Sequence, residues 1–244
     1  MSRMQDAATF FPLWAGSILN TLLTVVFVNA LFLKTQAIGG WSYGEVLVLL
    51  GTVKIIQGFA WSFWIRGGFR RMPRSIEQGV FDTHLIRPMN LRIQFIFDNA
   101  DIIFLVQELI VGSVLIWYGL VASGNHINWL MYIFVMTLAM VVHYSVVCLF
   151  SAMNFWFLVP QLMDLMNEIF SLGAYPSSIY RGAVKWILTL AIPLACIFSF
   201  PARALLGNLT INELLIMVTV TVVFWFLGSQ VWKLGLRRYE SAQG

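Results

Sequence analysis

Four ionisable side chains lie in or beside long apolar stretches of the sequence: Lys54, Asp98, Asp101 and Glu108. A charge at the depth of a bilayer is costly, so such residues usually face a packed or wet interior, where they pair, bind or relay protons. The three acids are spaced three and seven residues apart, which places them on one stripe of a helix. A proton relay is one function that acids on such a stripe could have.

A structural role is the alternative for each of these charges. Lys54 and Glu108 lie at similar depths of their apolar runs, so they are predicted to form a salt bridge between adjacent helices. Asp98 and Asp101 fall in the first turns of a helix, where the helix dipole favours anions. A position on a pore or substrate path remains the functional alternative for all four.

The other reactive side chains do not form a recognisable catalytic or metal-binding motif. Cys148 and Cys196 both sit in apolar runs and are predicted to be buried thiols. His84, His126 and His143 are widely separated, and HExxH, GxSxG and paired-cysteine motifs are absent from the sequence. No catalytic residue, metal site or cofactor is therefore expected in this chain.

The composition places the chain in a membrane. Of its 244 residues, 59% are hydrophobic and 11% are charged, and the mean hydropathy is +0.81. Soluble domains are about 45–50% apolar and about 25% charged. These values exclude a soluble enzyme, a disordered tail and a disulfide scaffold. We expect a single transmembrane domain over residues 1–244, with membrane lipids and no nucleic acid as partners.

Six runs are long enough to be helices that cross a bilayer, which takes roughly 20 apolar residues. The predicted fold is thus an all-α polytopic membrane protein with spans at residues 12–33, 46–65, 95–120, 129–151, 183–202 and 213–233. The fifth span contains Pro193, and Pro201 and Gly207 follow near its outer end. Residues 200–212 are therefore predicted to be a short re-entrant or outer-leaflet piece.

The basic residues predict the orientation of these spans. Two cations, Lys34 and Arg203, fall on one side. Twelve fall on the other side: Arg3, Arg66, Arg70, Arg71, Arg74, Arg87, Arg92, Arg181, Lys185, Lys233, Arg237 and Arg238. Both termini are therefore predicted to be cytoplasmic.

Two cytoplasmic segments are predicted to leave the bilayer. In the loop 66–92, the apolar residues of Ser75–Leu85 fall on one face of a short helix that begins after Pro73 and ends before Pro88. This loop would either rest on headgroups or dock a cytoplasmic partner. A second short helix, with Asp164 and Glu168 on one face, is predicted after the fourth span.

The sequence Glu77-Gln-Gly-Val-Phe-Asp-Thr-His-Leu-Ile-Arg-Pro88 resembles a loop of type-2 ABC exporter permeases. The family pattern is Glu-x-Gly-x-Φ-Asp/Glu-x-x-Leu-Φ-x-Pro, where Φ is apolar. Two later segments resemble one six-span branch of this family. They are Tyr175-Pro-Ser-Ser-Ile-Tyr180 and the run from Ile192-Pro through Phe200-Pro-Ala to Leu206-Gly207. The resemblance covers essentially the whole chain.

This resemblance implies a permease subunit of an ABC exporter. The loop after the second span would be a coupling helix that fits a groove on a soluble ATPase, and the helix at Asp164 would make a second, minor contact. The implied ATPase contacts are Arg74, Ile76, Glu77, Val80, Phe81, Asp82, Leu85 and Arg87. The chain would form half of a substrate path with a second permease subunit, identical or paralogous, in the cell membrane of a bacterium.

The chain lacks G-x-x-x-x-G-K-[ST], the loop that cradles nucleotide phosphates, and contains no Gly-Lys pair. ATP and Mg²⁺ would therefore be bound by the partner ATPase. The alternatives are a secondary transporter with an Asp98, Asp101 and Glu108 proton relay, a membrane enzyme acting on lipids, and a scaffold subunit. Glycines repeat every seven residues in three predicted spans and predict close helix packing, within the chain or between protomers.

Overall fold

The computed structural model describes residues 2–97, 100–124 and 127–239, and this part of the chain is almost entirely helical. Five helices in it are long and apolar enough to cross a membrane, or six if one bent pair counts as a span. The prediction of an all-helical polytopic membrane protein is confirmed. The α-helices are α1 Ser2–Phe32, α2 Tyr43–Phe59, α3 Met72–Glu77, α4 Phe81–Leu85, α5 Leu91–Phe97, α6 Ile102–Ser123, α7 Trp129–Ala152, α8 Leu162–Ser171, α9 Gly182–Trp186, α10 Phe200–Leu205 and α11 Ile211–Arg238.

Helix α2 starts at a capping box and continues beyond its α-helical part. The Ser42 hydroxyl accepts from the Glu45 backbone N–H, and the Glu45 carboxylate accepts from the Ser42 backbone N–H. Both interactions satisfy donors that a helix start leaves unpaired. The helix then continues as a π-helix over Ala60–Phe69, which carries the second span past its predicted end.

Glycines bring α2 and α6 into backbone contact. A Cβ atom added at Gly44 would lie 2.6 Å from the Gly119 carbonyl oxygen, and one at Gly51 would lie 2.6 Å from the Gly112 carbonyl oxygen. Only glycine permits such an approach. The glycine repeats of these two spans therefore pack within the chain.

Helices α7 and α11 run side by side in the same direction. Gly228 of α11 faces the Ser145 carbonyl oxygen, which would lie 3.0 Å from an added Cβ atom. Near their carboxyl ends, the Phe155 ring packs 5.5 Å from Trp232 and 6.1 Å from Tyr239. We call the end of the molecule that holds the loop 66–92, Asp164 and Tyr239 the basic end.

The opposite end is a separate cluster of loops and helix starts. A cavity of 370 Å³ there is lined by Gly39, Gly40, Trp41, Glu45, Ser178, Arg203, Leu206 and Asn208. The Ser178 hydroxyl donates to the Gly39 carbonyl oxygen, and the Asn128 backbone N–H donates to the Leu205 carbonyl oxygen. Residues 34–45, 128, 178 and 203–208 therefore lie together.

The predicted fifth span at residues 183–202 is not one continuous helix. Residues 182–191 and 195–205 form a pair bent by 71°, and both Ser178 before it and Arg203 at its end line the cavity of the opposite end. The pair thus enters from that end and returns to it. The re-entrant piece predicted over 200–212 is the second half of this longer hairpin.

Residues 164–178, which were predicted to be cytoplasmic, run from the basic end to the opposite end, and we call this segment the fifth crossing. Asp164 pairs with Arg70 at the basic end at 2.7 Å, whereas Ser178 contacts Gly39 at the opposite end. The chain between them consists of α8 and two short 3₁₀ turns. On α8, the buried side chains Met163, Met166 and Phe170 form one face that packs on α7 and on the re-entrant hairpin.

This change moves Arg181 and Lys185 from the basic end to the opposite end. Of the fourteen lysine and arginine residues other than Lys54, ten belong to the basic end and four to the opposite end: Lys34, Arg181, Lys185 and Arg203. The charge asymmetry keeps its sign but is smaller than the sequence predicts.

Candidate functional site

The loop at the basic end folds as two short helices rather than one. Helix α3 covers Met72–Glu77 and α4 covers Phe81–Leu85. Between them Gly79 adopts a positive φ of 69°, a conformation that favours glycine. The single helix predicted over Ser75–Leu85 is wrong because this left-handed residue interrupts it.

Phe81 is fully buried inside the chain. Its ring centroid lies 4.7 Å from that of Tyr239, 5.6 Å from Phe155 and 5.9 Å from Phe95. Ile76 is also buried. Their contact with an ATPase stays a prediction, and in this structure both side chains pack inside the permease itself.

Other side chains of the predicted contact set are accessible. Arg74, Glu77 and Arg87 are exposed, and Asp82 is half-buried. Four apolar side chains are exposed beside them: Val80 at 45%, Leu85 at 45%, Ile86 at 83% and Met89 at 59%. The sequence pattern missed Ile86 and Met89 because they lie at the end of the helical stretch, outside its periodicity.

Polar contacts fix this loop to the ends of the crossing helices. Arg66 pairs with Asp101, which also caps α6 by accepting from the Phe104 backbone N–H at 3.0 Å. The Tyr239 hydroxyl donates to Asp82 at 2.9 Å. Burial, and then the neighbouring Asp82 carboxylate, raise the pKa of Tyr239 to about 12, so the hydroxyl keeps its proton at neutral pH.

The predicted salt bridge inside the bundle is confirmed. Lys54 Nζ lies 3.5 Å from Glu108 Oε2, and the Ser17 hydroxyl of α1 donates to Glu108 Oε1. Asp101 is engaged separately at the basic end by Arg66, and Asp98 lies outside the described residues. The acids on the α6 stripe that the structure describes thus have separate cationic partners.

The comparison with protein families agrees with this architecture. The model of a family described as ABC-2 family transporter protein matches residues 18–243. The chain belongs to the ABC-2 transporter family. Neither the search of curated proteins nor that of solved structures found a match.

Membership makes this ABC-2 chain a membrane component of a transporter. Its candidate functional regions are the basic-end loop and the ion pair between α2 and α6. Sequence reasoning missed Ser17 and Tyr239, which join these regions to α1 and to the end of α11. Neither residue carries a local pattern, because each meets its partner only through the tertiary fold.

Proposed function

We propose that this chain is the permease subunit of an ABC exporter and that it couples to a separate ATPase through its basic end. In this proposal the basic end and both termini are cytoplasmic, in line with the excess of arginine and lysine there. A second permease subunit completes the substrate path. Nucleotide and Mg²⁺ bind to the ATPase, since the permease has no phosphate-binding loop.

The observation that carries the proposal is the exposed apolar surface formed by Val80, Leu85, Ile86 and Met89. It stands on a rigid base, because Phe81 between these positions is packed among aromatic rings. Arg74, Glu77 and Arg87 surround it with charges of both signs. An apolar centre with a polar rim is the usual anatomy of a protein interface.

The contacts of this surface supply a route for motion into the bundle. The Phe81 ring and the Asp82 carboxylate both engage Tyr239 at the end of α11. Arg66, at the end of the second span, engages Asp101 at the start of α6. A displacement of the loop by the ATPase would therefore reach three crossing helices, with no catalytic residue needed in the permease.

The test is recovery of the ATPase with permease variants at equal membrane levels. Ile86→Ser removes the most exposed apolar side chain of the surface, whereas Ile127→Ser makes the same change at the opposite end, where the side chain is 49% exposed. We expect Ile86→Ser to reduce ATPase recovery by about tenfold and Ile127→Ser to leave it unchanged. Equal recovery with both variants would contradict coupling at this surface.

A proton-coupled secondary transporter is the competing function. It requires the α6 carboxylates to exchange protons, but Asp101 and Glu108 are each held by a different cation. The two functions differ in energy source. Transport by the permease should stop when ATP is depleted and should survive collapse of the pH gradient.

A further inference from the structure

A cavity of 240 Å³ lies between α1, α2 and the fifth crossing, at the depth of the Lys54–Glu108 pair. Its polar lining includes Asn20 and Thr24 of α1, Lys54 and Gln57 of α2, and Tyr175 after α8. Its apolar lining is Val25, Leu50, Val53, Leu115 and Ala174. A site with both kinds of wall suits an amphiphilic ligand.

The ion pair presents its cation to this cavity. The Lys54 side chain is 15% exposed and lines the cavity, whereas the Glu108 side chain is 2% exposed and does not line it. Glu108 is instead turned toward Ser17, whose hydroxyl donates to it. A ligand in the cavity would therefore meet an ammonium group, with the carboxylate behind it.

The ammonium group retains hydrogen-bonding capacity. Its 3.5 Å separation from Glu108 Oε2 is longer than the roughly 2.7–2.9 Å of a charge-assisted hydrogen bond. Glu108 Oε2 has no hydrogen-bond partner among the described residues. Lys54 can thus donate to a ligand without first breaking a short bond.

The two threonine hydroxyls that line the cavity already donate within α1. Thr21 donates to the Ser17 carbonyl oxygen and Thr24 to the Asn20 carbonyl oxygen, each at 2.8 Å. The lining side chains left to donate to a ligand are Lys54, the amides of Asn20 and Gln57, and the hydroxyl of Tyr175. Donors grouped around one cation select a ligand that accepts hydrogen bonds and carries negative charge.

The cavity is smaller than the roughly 300–1,000 Å³ typical of sites that enclose a drug-sized ligand. It would hold a headgroup and leave the rest of the ligand outside. Beside the cavity, the face of α1 that carries Phe27 and Leu31, three and seven residues after Thr24, is apolar and exposed. An attached hydrocarbon chain could lie along that face.

We propose that this cavity binds the anionic headgroup of an amphiphile, held by Lys54 and the neighbouring amides, with its hydrocarbon chain along α1. As the substrate class of the transporter, this assignment rests on the proposed function. Binding itself does not depend on the ATPase. Ligand binding and the proposed transporter function can therefore be tested separately.

The experiment uses the purified full-length permease in phosphatidylcholine nanodiscs, without ATPase. Dansyl-labelled undecanoic acid is titrated into the nanodiscs, and the signal from empty nanodiscs is subtracted. The matched probe carries the same labelled chain but ends in a trimethylammonium group. We expect the wild-type permease to bind the carboxylate probe at least about tenfold more tightly than the cationic one.

Variants of the ion pair make the test specific. The double variant Lys54→Met/Glu108→Gln has no buried charge and should bind the carboxylate probe about tenfold more weakly than the wild type. Glu108→Gln keeps the cation and removes its counter-charge, so it should bind the probe about tenfold more tightly. Lys34→Met removes an exposed cation elsewhere and should change nothing.

Equal affinity of the double variant and the wild type for the carboxylate probe would overturn the proposal. So would equal affinity of the wild type for the two probes. If the carboxylate probe binds as expected but reconstituted permease and ATPase do not transport it, the headgroup site stands and its assignment as the substrate site fails. The exporter function itself is tested separately by recovery of the ATPase.

Discussion

The hydroxyl of Ser178 donates a 2.5 Å hydrogen bond to the backbone carbonyl oxygen of Gly39. Gly39 belongs to the turn between the first two spans, and Ser178 follows α8, which starts at the basic end next to Asp164. This bond therefore joins the end of the fifth crossing to the opposite end of the molecule. It places Arg181 and Lys185 on the side away from the loop 66–92.

Cysteine labelling in intact cells tests this topology. Lys185→Cys should react with a membrane-impermeant thiol reagent from outside, because residue 185 lines a cavity with Ser177 and Tyr180 at the opposite end. Arg71→Cys should react only after the membrane is opened. The parent protein provides the baseline, since Cys148 and Cys196 are both buried.

Labelling of Lys185→Cys only in opened membranes would contradict the crossing by residues 164–178. External labelling of Arg71→Cys would contradict the orientation of the whole bundle and the cytoplasmic position of the loop 66–92.

The Lys54–Glu108 pair predicts a stability coupling. Lys54→Met or Glu108→Gln alone leaves the other group buried without its partner, which costs about 3–5 kcal/mol in folding free energy for a buried pair. The double variant should recover much of this loss. Thermal unfolding in detergent of the wild type, the two single variants and the double variant measures the coupling. Strictly additive losses of stability would count against a direct interaction.

The sequence predicted the features that depend on local composition. The apolar runs of α1, α2, α6, α7 and α11 each form a helix that is long and apolar enough to cross a membrane, and the matched depths of Lys54 and Glu108 predicted their contact. These predictions hold because a bilayer requires a long apolar helix wherever the chain meets lipid.

The fifth crossing could not be predicted in this way because its path depends on tertiary contacts. Residues 162–179 carry Asp164, Glu168 and Pro176 and lack a long apolar run, but the buried face of α8 packs on α7 and on the re-entrant hairpin. The hairpin at 182–205 is apolar throughout much of its length and resembles a span in sequence. Tertiary contacts distinguish the two segments, and a hydropathy pattern does not contain them.

The candidate site was predictable only in part, because some of its features depend on tertiary contacts. The charged rim at Arg74, Glu77 and Arg87 is exposed, as expected of a basic loop. The buried position of Phe81 depends on Phe155 and Tyr239, which are distant in sequence. An amphipathic pattern shows which face of a helix is apolar, but not whether that face meets its own chain or a partner.

The contact between α2 and α6 predicts that alanine substitution at two glycines has different effects on the unfolding free energy. Gly51→Ala would place a methyl group 2.6 Å from the Gly112 carbonyl oxygen, so it should lower the unfolding free energy by about 1–3 kcal/mol. Gly16→Ala, in α1, meets no atom within 4 Å and should be neutral or slightly stabilising. Thermal unfolding of both variants in the same detergent measures this difference in stability. Equal stabilities would contradict the close approach of α2 and α6.

Phe81→Ala separates an internal role of this residue from a role as an anchor for the ATPase. The side chain is fully buried against Phe95, Phe155 and Tyr239, and truncating a buried phenylalanine to alanine typically costs about 3–5 kcal/mol. The purified permease should therefore lose stability in the absence of any ATPase, and Phe81→Leu should lose less because it fills more of the cavity.

Ile86→Ser is the matched control, since its side chain is 83% exposed. It should leave the stability of the isolated permease unchanged while it weakens ATPase recovery. Phe81→Ala could instead unfold at the wild-type temperature and only reduce ATPase recovery. The ring would then face the partner, and the aromatic cluster would not hold the loop 66–92.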